Sequence, residues 1–248
     1  MRTIYILWLR QIKRYFRSKS RVIGSLGQPL LFLLSLGYGF GSVFQKAGEG
    51  NYIQYLAPGI IGMSIIFTAI FFGMEIIWDR QFGFLKETLV VPVSRLNIMI
   101  GRTLGGATVA TGQGLIVLAI ASFVGFKPVS LGMLPAAVIV MALTALLFTA
   151  LGTAIASKLE DMHGFQLIMN FLVMPLVFLS GAFFPLQGLP RVLDSIVKFN
   201  PLSYGIDALR ILLSGAGNFG LGLDLLVLSS VTFIFLLVGS YFFSKIQI

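Results

Sequence analysis

The chain has 248 residues, of which 57% are hydrophobic and only 11% are charged, whereas an ordinary soluble domain carries about 25% charged residues. This composition indicates a membrane protein and leaves no room for a soluble catalytic domain. The absence of cysteine excludes disulfides, thiolate metal sites and cysteine nucleophiles. The net charge of +9 is interpreted first as a signal of membrane orientation, so nucleic acid is a poor candidate partner.

The first 21 residues predict a helix that lies in the plane of a membrane interface. At helical spacing, apolar and aromatic side chains between Tyr5 and Phe16 share one face, and basic side chains between Arg10 and Arg21 lie nearly opposite. Such a helix places its aromatic side in the acyl boundary and its cations near anionic head groups. A helix that only anchors the first membrane span is the alternative.

Six apolar segments follow that are long enough to cross a membrane, which requires about 20 helical residues. They comprise residues 22–44, 56–78, 103–125, 131–156, 165–184 and 223–243. Most of the 18 Lys and Arg residues lie before the first span, in the loop after the second span, and at Lys158 and Lys245. The positive-inside rule therefore predicts a multi-pass protein of the cytoplasmic (plasma) membrane with both termini in the cytoplasm.

The loop after the second span contains a predicted short helix. Gly83 permits a turn, residues 84–91 can form about two helical turns, and Pro92 ends them. One face of this helix consists of Phe84, Leu85, Thr88 and Leu89. Such a face can dock into a groove on a cytoplasmic partner. The alternative is a solvated loop whose apolar residues rest on the bilayer.

Three polar side chains lie inside predicted spans and are functional candidates. Glu75 is one turn before Asp79 near the cytoplasmic end of its span, so snorkelling or pairing with Arg102 is favoured over a substrate contact. Gln113 and Asn170 can form hydrogen bonds between helices, a role that is favoured over substrate recognition. The small residues of GRTLGG, residues 101–106, would let helix backbones approach each other.

The sequence FLSGAFFPLQGLP, residues 178–190, interrupts an apolar segment repeatedly without a charge. Pro185 predicts the end of the fifth span, and two short amphipathic pieces follow at 191–199 and 202–213. Both pieces are too short to span, so they predict helices that dip into the outer leaflet at an external gate. Helices that lie on the outer surface are the alternative. The candidate gate and hinge residues are Pro175, Ser180, Gly181, Pro185, Pro190, Asn200 and Pro201.

Together these patterns predict an all-α membrane protein with a single transmembrane domain over residues 1–248. Its parts are the interfacial helix 1–21, spans one to five at 22–184, external or re-entrant helices at 185–222, and the sixth span and tail at 223–248. The sequence GxxxxGK[ST] of a P-loop is absent, and His163 has no second metal ligand at a useful spacing. No metal site is therefore expected, and ATP-driven transport would need another polypeptide.

Two stretches of the chain resemble the ABC-2 type permeases, the membrane subunits of a large class of ATP-driven exporters. The first contains Asp79-Arg80, Gly83, Leu85, Leu89, the run 92–95 and Gly101-Arg102, and the second contains FLSGAFFP, a Leu-Pro pair and NPLSYGIDALR. The chain looks most similar to the drug and polysaccharide export permeases of the daunorubicin-resistance and nodulation types. It departs from the family at Gln81, where many members carry an acidic residue.

The resemblance implies a dimer of such subunits, either a homodimer or a pair of related permeases, with the translocation path between them. It also implies a separate ABC ATPase that binds ATP and Mg, so that this chain binds no cofactor and is not itself an enzyme. The short cytoplasmic helix would be the coupling helix, with Arg80, Gly83, Phe84, Leu85, Glu87, Thr88, Leu89, Pro92 and Arg95 as candidate coupling residues. The alternative function is an ATP-independent channel or an ion-coupled secondary carrier, which would usually need buried ionisable residues.

Overall fold

The computed structural model describes residues 2–46, 50–84, 93–188 and 190–245, apart from the side chain of Arg21. Within these ranges the regular structure is helical and contains no strand. The helices are α1 (Arg2–Arg17), α2 (Lys19–Gly39), α3 (Gly41–Lys46), α4 (Tyr52–Gln81), α5 (Arg95–Val124), a 3₁₀ turn (Leu131–Met133), α6 (Leu134–Ala156), α7 (Met162–Phe178), α8 (Arg191–Phe199), α9 (Pro201–Ser214) and α10 (Leu221–Ser244).

Five segments in the described part of the chain are long and apolar enough to cross a membrane. They are Val22–Gly39, Tyr52–Gln81, Arg95–Val124, Leu131–Ala156 and Leu221–Ser244. The fifth predicted span corresponds to α7, which is apolar but has only 17 residues. The all-helical, multi-pass character is therefore confirmed, while the arrangement of six spans stays a prediction.

Two predicted spans end earlier than the sequence indicated. α7 ends at Phe178, and Gly181 then adopts a φ of 74°, a left-handed conformation that glycine tolerates at little steric cost. The expectation that this helix continues to residue 184 was therefore wrong, and Pro185 lies in the loop. The helix predicted over 22–44 is likewise interrupted, because α2 ends at Gly39 and α3 begins at Gly41.

α4 forms the centre of the fold. Its 30 residues extend for about 45 Å at about 1.5 Å per residue, and most of its side chains are buried. It packs against α2, α5, α6, α7 and α9. Asn51 caps its start, because the side-chain oxygen accepts the backbone N–H of Ile53 at 2.9 Å. The other helices are thus positioned relative to one long, buried element.

The contacts between chain segments distinguish two ends of the helix bundle. At one end, which we call the termini end, Arg95 donates to the carbonyl of Ser244 at 2.6 Å, and residues 82–94 connect α4 to α5. At the opposite end, the N–H of Val129 donates to the carbonyl of Leu213 at 2.9 Å. The loop after α7 and helix α9 also lie at this opposite end.

α1 docks against α5 along a stripe of buried side chains, Leu7, Gln11 and Tyr15. The two backbones come close at Gly105, where a Cβ atom would lie only 2.6 Å from the Cβ of Gln11. Gly101 and Gly105 therefore permit this helix contact, whereas Gly106 faces Phe72 of α4 and Thr149 of α6. Tyr5 and Phe16 remain 58% exposed, whereas Tyr15 is buried. Only part of the aromatic face that was predicted to contact the membrane interface is therefore exposed.

Candidate functional site

The loop between α4 and α5 is attached at its first flank to the connection between α6 and α7. Arg80 donates to the Glu160 carboxylate at 2.7 Å, and the Gln81 amide donates to the backbone carbonyl of Glu160 at 3.1 Å. Because the Glu160 side chain is 77% exposed, this ion pair contributes little stability. Its consequence is positional, since it fixes the end of α4 beside residue 160.

The second flank of the same loop is attached to the end of α10. Ser94 caps α5 by accepting the N–H of Asn97 at 3.3 Å, and the next residue, Arg95, donates to the carbonyl of Ser244. Lys158, in the connection between α6 and α7, lies 4.5 Å from the centre of the Phe242 ring on α10. The last residues of α4 and α10, the first residue of α5 and the connection between α6 and α7 are therefore joined at the two flanks of this loop.

The predicted coupling residues fall partly within the described ranges. Arg80, Gly83, Phe84 and Arg95 are described, and the Phe84 side chain is 52% exposed. The other candidates, Leu85, Glu87, Thr88, Leu89 and Pro92, lie outside the described residues. The short helix predicted over 84–91 consequently stays a prediction.

A buried charge cluster joins α1, α4 and α5 close to this loop. Arg102 pairs with Asp79, and Arg14 lies 3.4 Å from Asp79 and 3.7 Å from Glu75. Asp79 and Arg102 are both buried, and removing one partner of such a pair typically costs about 3–5 kcal/mol because the other charge is left uncompensated. The sequence suggested that Arg102 pairs with Glu75, and it placed Arg14 among the cations near anionic head groups. The spacing within α1 cannot reveal the contact of Arg14 with α4.

The two uncharged polar candidates occupy different surroundings. Gln113 accepts a hydrogen bond from the hydroxyl of Tyr15 at 3.0 Å, and that hydroxyl also lies 2.9 Å from the hydroxyl of Ser25. This chain of polar groups links α5, α1 and α2. The side chain of Asn170 is exposed on α7 and makes no hydrogen bond within the part of the chain that the structure describes.

At the opposite end, hydrogen bonds from α4 and α9 hold the loop after α7. The carbonyl of Gly181 accepts from the guanidinium of Arg210 and from the hydroxyl of Tyr55, each at 2.9 Å. The hydroxyl of Tyr52 donates to the carbonyl of Phe183 at 2.9 Å. The segment predicted as a hinge is therefore fixed to two neighbouring helices.

Asn200 connects the end of α7 to the start of α9. Its side-chain oxygen caps α9 by accepting the N–H of Leu202 at 3.0 Å. Its amide nitrogen donates to the carbonyls of Leu176 and Leu179 at 2.7 and 3.1 Å, which lie where the helical ladder ends. Pro201 follows as the first residue of α9, where its missing N–H costs nothing.

The structure thus brings Ser180, Gly181, Asn200 and Pro201 together. Ser180 donates to the carbonyl of Val177 at 2.6 Å. Of the other candidates, Pro175 lies inside α7, Pro185 lies in the loop, and Pro190 precedes α8. Sequence reasoning missed Tyr52, Tyr55 and Arg210 as the residues that position this loop, and no local pattern around the two tyrosines links them to residue 181.

Comparison with known proteins relates the chain to a family of membrane transporters. The family model of the ABC-2 type transporter matches residues 2–214. Nodulation protein J of Rhizobium leguminosarum bv. trifolii is 30% identical over 213 residues, which cover 85% of this chain and 78% of that protein. The putative transport permease ycf38 of Cyanophora paradoxa is 28% identical over 263 residues, covering 98% and 88%. The inner membrane transport permease YadH of Escherichia coli (strain K12) is 28% identical over 211 residues, covering 82% and 80%.

Proposed function

This chain belongs to the ABC-2 type transporter family, and on that premise we propose that it is the membrane permease subunit of an ATP-binding-cassette exporter. The resemblance drawn from the sequence motifs is confirmed by the family match, and relatives are named transport permeases. In this proposal the chain forms the translocation path. A separate ATPase subunit binds ATP and Mg²⁺ and supplies the energy by hydrolysis.

The double attachment of the loop between α4 and α5 carries the proposal. One flank is joined to residue 160 through Arg80 and Gln81, and the other is joined to Ser244 through Arg95. A force applied to residues 84–91 by a partner would therefore reach α4, α5, α7 and α10 together. This arrangement supports a coupling role for the loop, with the predicted short helix as the surface that contacts the ATPase.

We further propose the orientation and assembly of the subunit. The termini end faces the cytoplasm, in agreement with the distribution of Lys and Arg, and the protein resides in the plasma membrane. Two permease subunits, identical or related, form the path between them. The loop after α7 with α8 and α9 then forms the external gate. The hydrogen bonds at Gly181 favour a gate that moves as one body with α9 over a gate that bends at the glycine.

The coupling role predicts that Leu85→Asp and Leu89→Asp prevent assembly with the ATPase or abolish stimulated ATP hydrolysis. A carboxylate in the docking face would have to be buried without a partner, which is unfavourable. The experiment is to purify the permease with the ATPase encoded beside it and to measure complex formation and ATP turnover. Leu131→Asp is the matched control, because Leu131 is 73% exposed and lies at the opposite end. Normal complexes and turnover in both loop variants would remove the coupling role.

A further inference from the structure

A cavity of about 440 Å³ lies between α2 and α4, beside the end of α1. This volume is within the range of about 300–1,000 Å³ that is typical of small-molecule sites. Aromatic rings dominate its wall, namely Tyr15, Phe67, Phe71, Phe72 and Trp78. Phe71 and Trp78 are exposed, and both α2 and α4 are candidate membrane spans. In a membrane the cavity would therefore be entered from the bilayer.

The charges beside the cavity do not select an ion. Glu75 lines the wall, but it lies 3.7 Å from Arg14 and also interacts electrostatically with Arg102. Both arginines also contact Asp79, so two carboxylates face two guanidinium groups within one cluster. A charged ligand would lose its hydration without gaining an uncompensated counter-charge, which is unfavourable. The wall therefore favours an uncharged ligand.

Pro29 supplies the cavity with a hydrogen-bond acceptor. It lies inside α2 and has no N–H, so the carbonyl of Ser25, four residues earlier, lacks its usual helical donor. Ser25 and Pro29 both line the cavity, and this carbonyl lies between them along the helix. The Ser25 hydroxyl donates to the carbonyl of Val22 instead. A carbonyl at membrane depth requires a donor from another source.

A second proline shows how the protein satisfies such a carbonyl. Pro58 lies inside α4 and removes the helical donor of the Gln54 carbonyl. The hydroxyl of Ser214 donates to this carbonyl at 3.1 Å and thus replaces the missing N–H. Within the described ranges no side chain donates in the same way to the carbonyl of Ser25. The cavity lies where such a donor would be needed.

We propose that the cavity binds an uncharged amphiphile of the bilayer whose head group is a hydroxyl, as in long-chain alcohols and acylglycerols. The hydroxyl donates to the carbonyl of Ser25, and the hydrocarbon chain lies against the aromatic wall. The amide of Gln28 and the hydroxyl of Thr68 also line the cavity and can donate to the oxygen of the ligand. The inference depends on the insertion of α2 and α4 in a membrane and not on the exporter assignment.

Photo-reactive probes with one alkyl chain and different head groups test the proposal. The head groups are a hydroxyl, a methyl ether, a quaternary ammonium and a sulfate, and each chain carries a diazirine. The full-length protein in phosphatidylcholine nanodiscs is labelled at equal probe content of the bilayer. Mass spectrometry then identifies the labelled peptides.

We expect the alcohol to label the cavity-lining parts of α2 and α4 saturably, with competition by the same alcohol without a diazirine. The ether accepts but cannot donate, so it should label them about two- to tenfold less, which corresponds to one neutral hydrogen bond. The ammonium and the sulfate should label them least, because neither ion finds an uncompensated counter-charge there.

The variant Pro29→Ala tests the assigned acceptor. Alanine restores an N–H that can donate to the carbonyl of Ser25, so the preference for the alcohol over the ether should be lost. Because two probes are compared within one variant, a change in the shape of the cavity does not by itself mimic this result. Pro58→Ala is the matched control, since Pro58 does not line the cavity and the carbonyl it frees already has a donor. The preference should be kept in the control.

A steric variant locates the ligand independently of the hydrogen bond. Gly24 lines the cavity, and a Cβ atom at this position meets no atom within 4 Å, so Gly24→Leu should narrow the cavity without disturbing the fold. Gly27→Leu is the matched control, since Gly27 has equal space on the same helix but does not line the cavity. Labelling by the alcohol should fall in the first variant and be kept in the second.

Four outcomes would overturn the site. They are labelling by the alcohol that does not saturate, equal labelling by the alcohol and the ions, equal labelling by the alcohol and the ether in the wild type, and an alcohol preference that persists in Pro29→Ala. Size-exclusion profiles establish that each variant remains folded. If Pro29→Ala does not fold, the comparison of probes in the wild type and the Gly24→Leu variant still decide the question. No ATPase is present in these measurements, so their failure would leave the exporter assignment untouched.

Discussion

Arg210 is a buried cation whose hydrogen bonds go to backbone carbonyls. It is 4% exposed, donates to the carbonyls of Gly181 and Tyr55 at 2.9 and 3.4 Å, and its guanidinium carbon lies 4.0 Å from the centre of the Tyr55 ring. Planar geometry allows a guanidinium to stack and donate at the same time, which an ammonium group cannot do. This single side chain therefore links α9, the start of α4 and the loop after α7.

Asp161 provides a pH-dependent cap at the start of α7. Its carboxylate accepts the N–H of Gly164 at 2.7 Å, and this bond, followed by one from the N–H of His163, lowers the pKa of the carboxyl group. A lowered folded-state pKa means that the cap stabilises α7 above the unfolded value of about 3.9 and is lost as the pH falls through the folded value.

We predict that Asp161→Ala lowers the thermal midpoint of the detergent-solubilised protein at pH 7, and that its difference from the wild type narrows below about pH 4. Asp161→Asn is the control, because the amide oxygen still caps the helix but does not titrate. Thermal unfolding monitored by circular dichroism over this pH range measures both effects. A constant difference between wild type and Asp161→Ala would contradict the prediction.

At the scale of elements, the contact between α1 and α5 converts an amphipathic segment into part of the bundle. Leu7 and Gln11 face Gly101 and Gly105, and the indole N–H of Trp8 donates to the hydroxyl of Thr108 at 3.0 Å. The helix pair also carries Arg14 and Arg102, which share Asp79. A displacement of α1 would therefore separate buried charges as well as apolar surfaces.

We predict that Gly105→Ala destabilises the protein by about 1–3 kcal/mol, because the added methyl group would lie 2.6 Å from the Cβ of Gln11. Gly112→Ala is the matched control on the same helix. A Cβ at Gly112 meets no atom within 4 Å, so this change should be neutral or stabilising by about 0.5–1 kcal/mol. Thermal midpoints in detergent measure the difference, and equal midpoints would show that the close contact tolerates a methyl group.

At the scale of the whole molecule, α4 reaches both candidate regions. Tyr52 and Tyr55 in its first turns bind the loop after α7, and Arg80 near its last residue binds residue 160. The two regions are thus ends of one helix that is buried along most of its length. The proposed coupling between them would therefore require no element besides α4.

The proposed coupling predicts a charge-reversal effect at the termini end. Arg80→Glu should reduce ATP hydrolysis in the permease–ATPase complex severalfold, because two carboxylates would then face each other where α4 meets the connection between α6 and α7. The double variant Arg80→Glu with Glu160→Arg should restore part of the activity. Stability should change by less than about 1 kcal/mol, since the pair is partly exposed. A double variant no more active than Arg80→Glu would exclude a role for this contact in coupling.

Local patterns in the sequence predicted much of the helical organisation, because hydropathy and periodicity depend on neighbouring residues. The amphipathic pattern indicated helical segments at 191–199 and 202–213, and α8 and α9 lie there, although their placement in a membrane stays a prediction. The contacts of Arg80 with Glu160 and of Arg210 with Gly181 join residues 80 and 29 positions apart. No local pattern specifies such partners. At the end of α7 the sequence favoured Pro185 over Gly181 as the break, whereas the helix ends at Phe178, before the left-handed Gly181.

The continuity of α4 has a consequence for timing. In the proposed transporter, a helix about 45 Å long that is attached at both ends would transmit an axial shift to the two ends of the translocation path at the same time. The path would then close on one side of the membrane as it opens on the other, so an intermediate that is open to both compartments is disfavoured. Because the two ends would not be open together, ions could not leak through the path, and the ion gradients across the membrane would be preserved during each turnover.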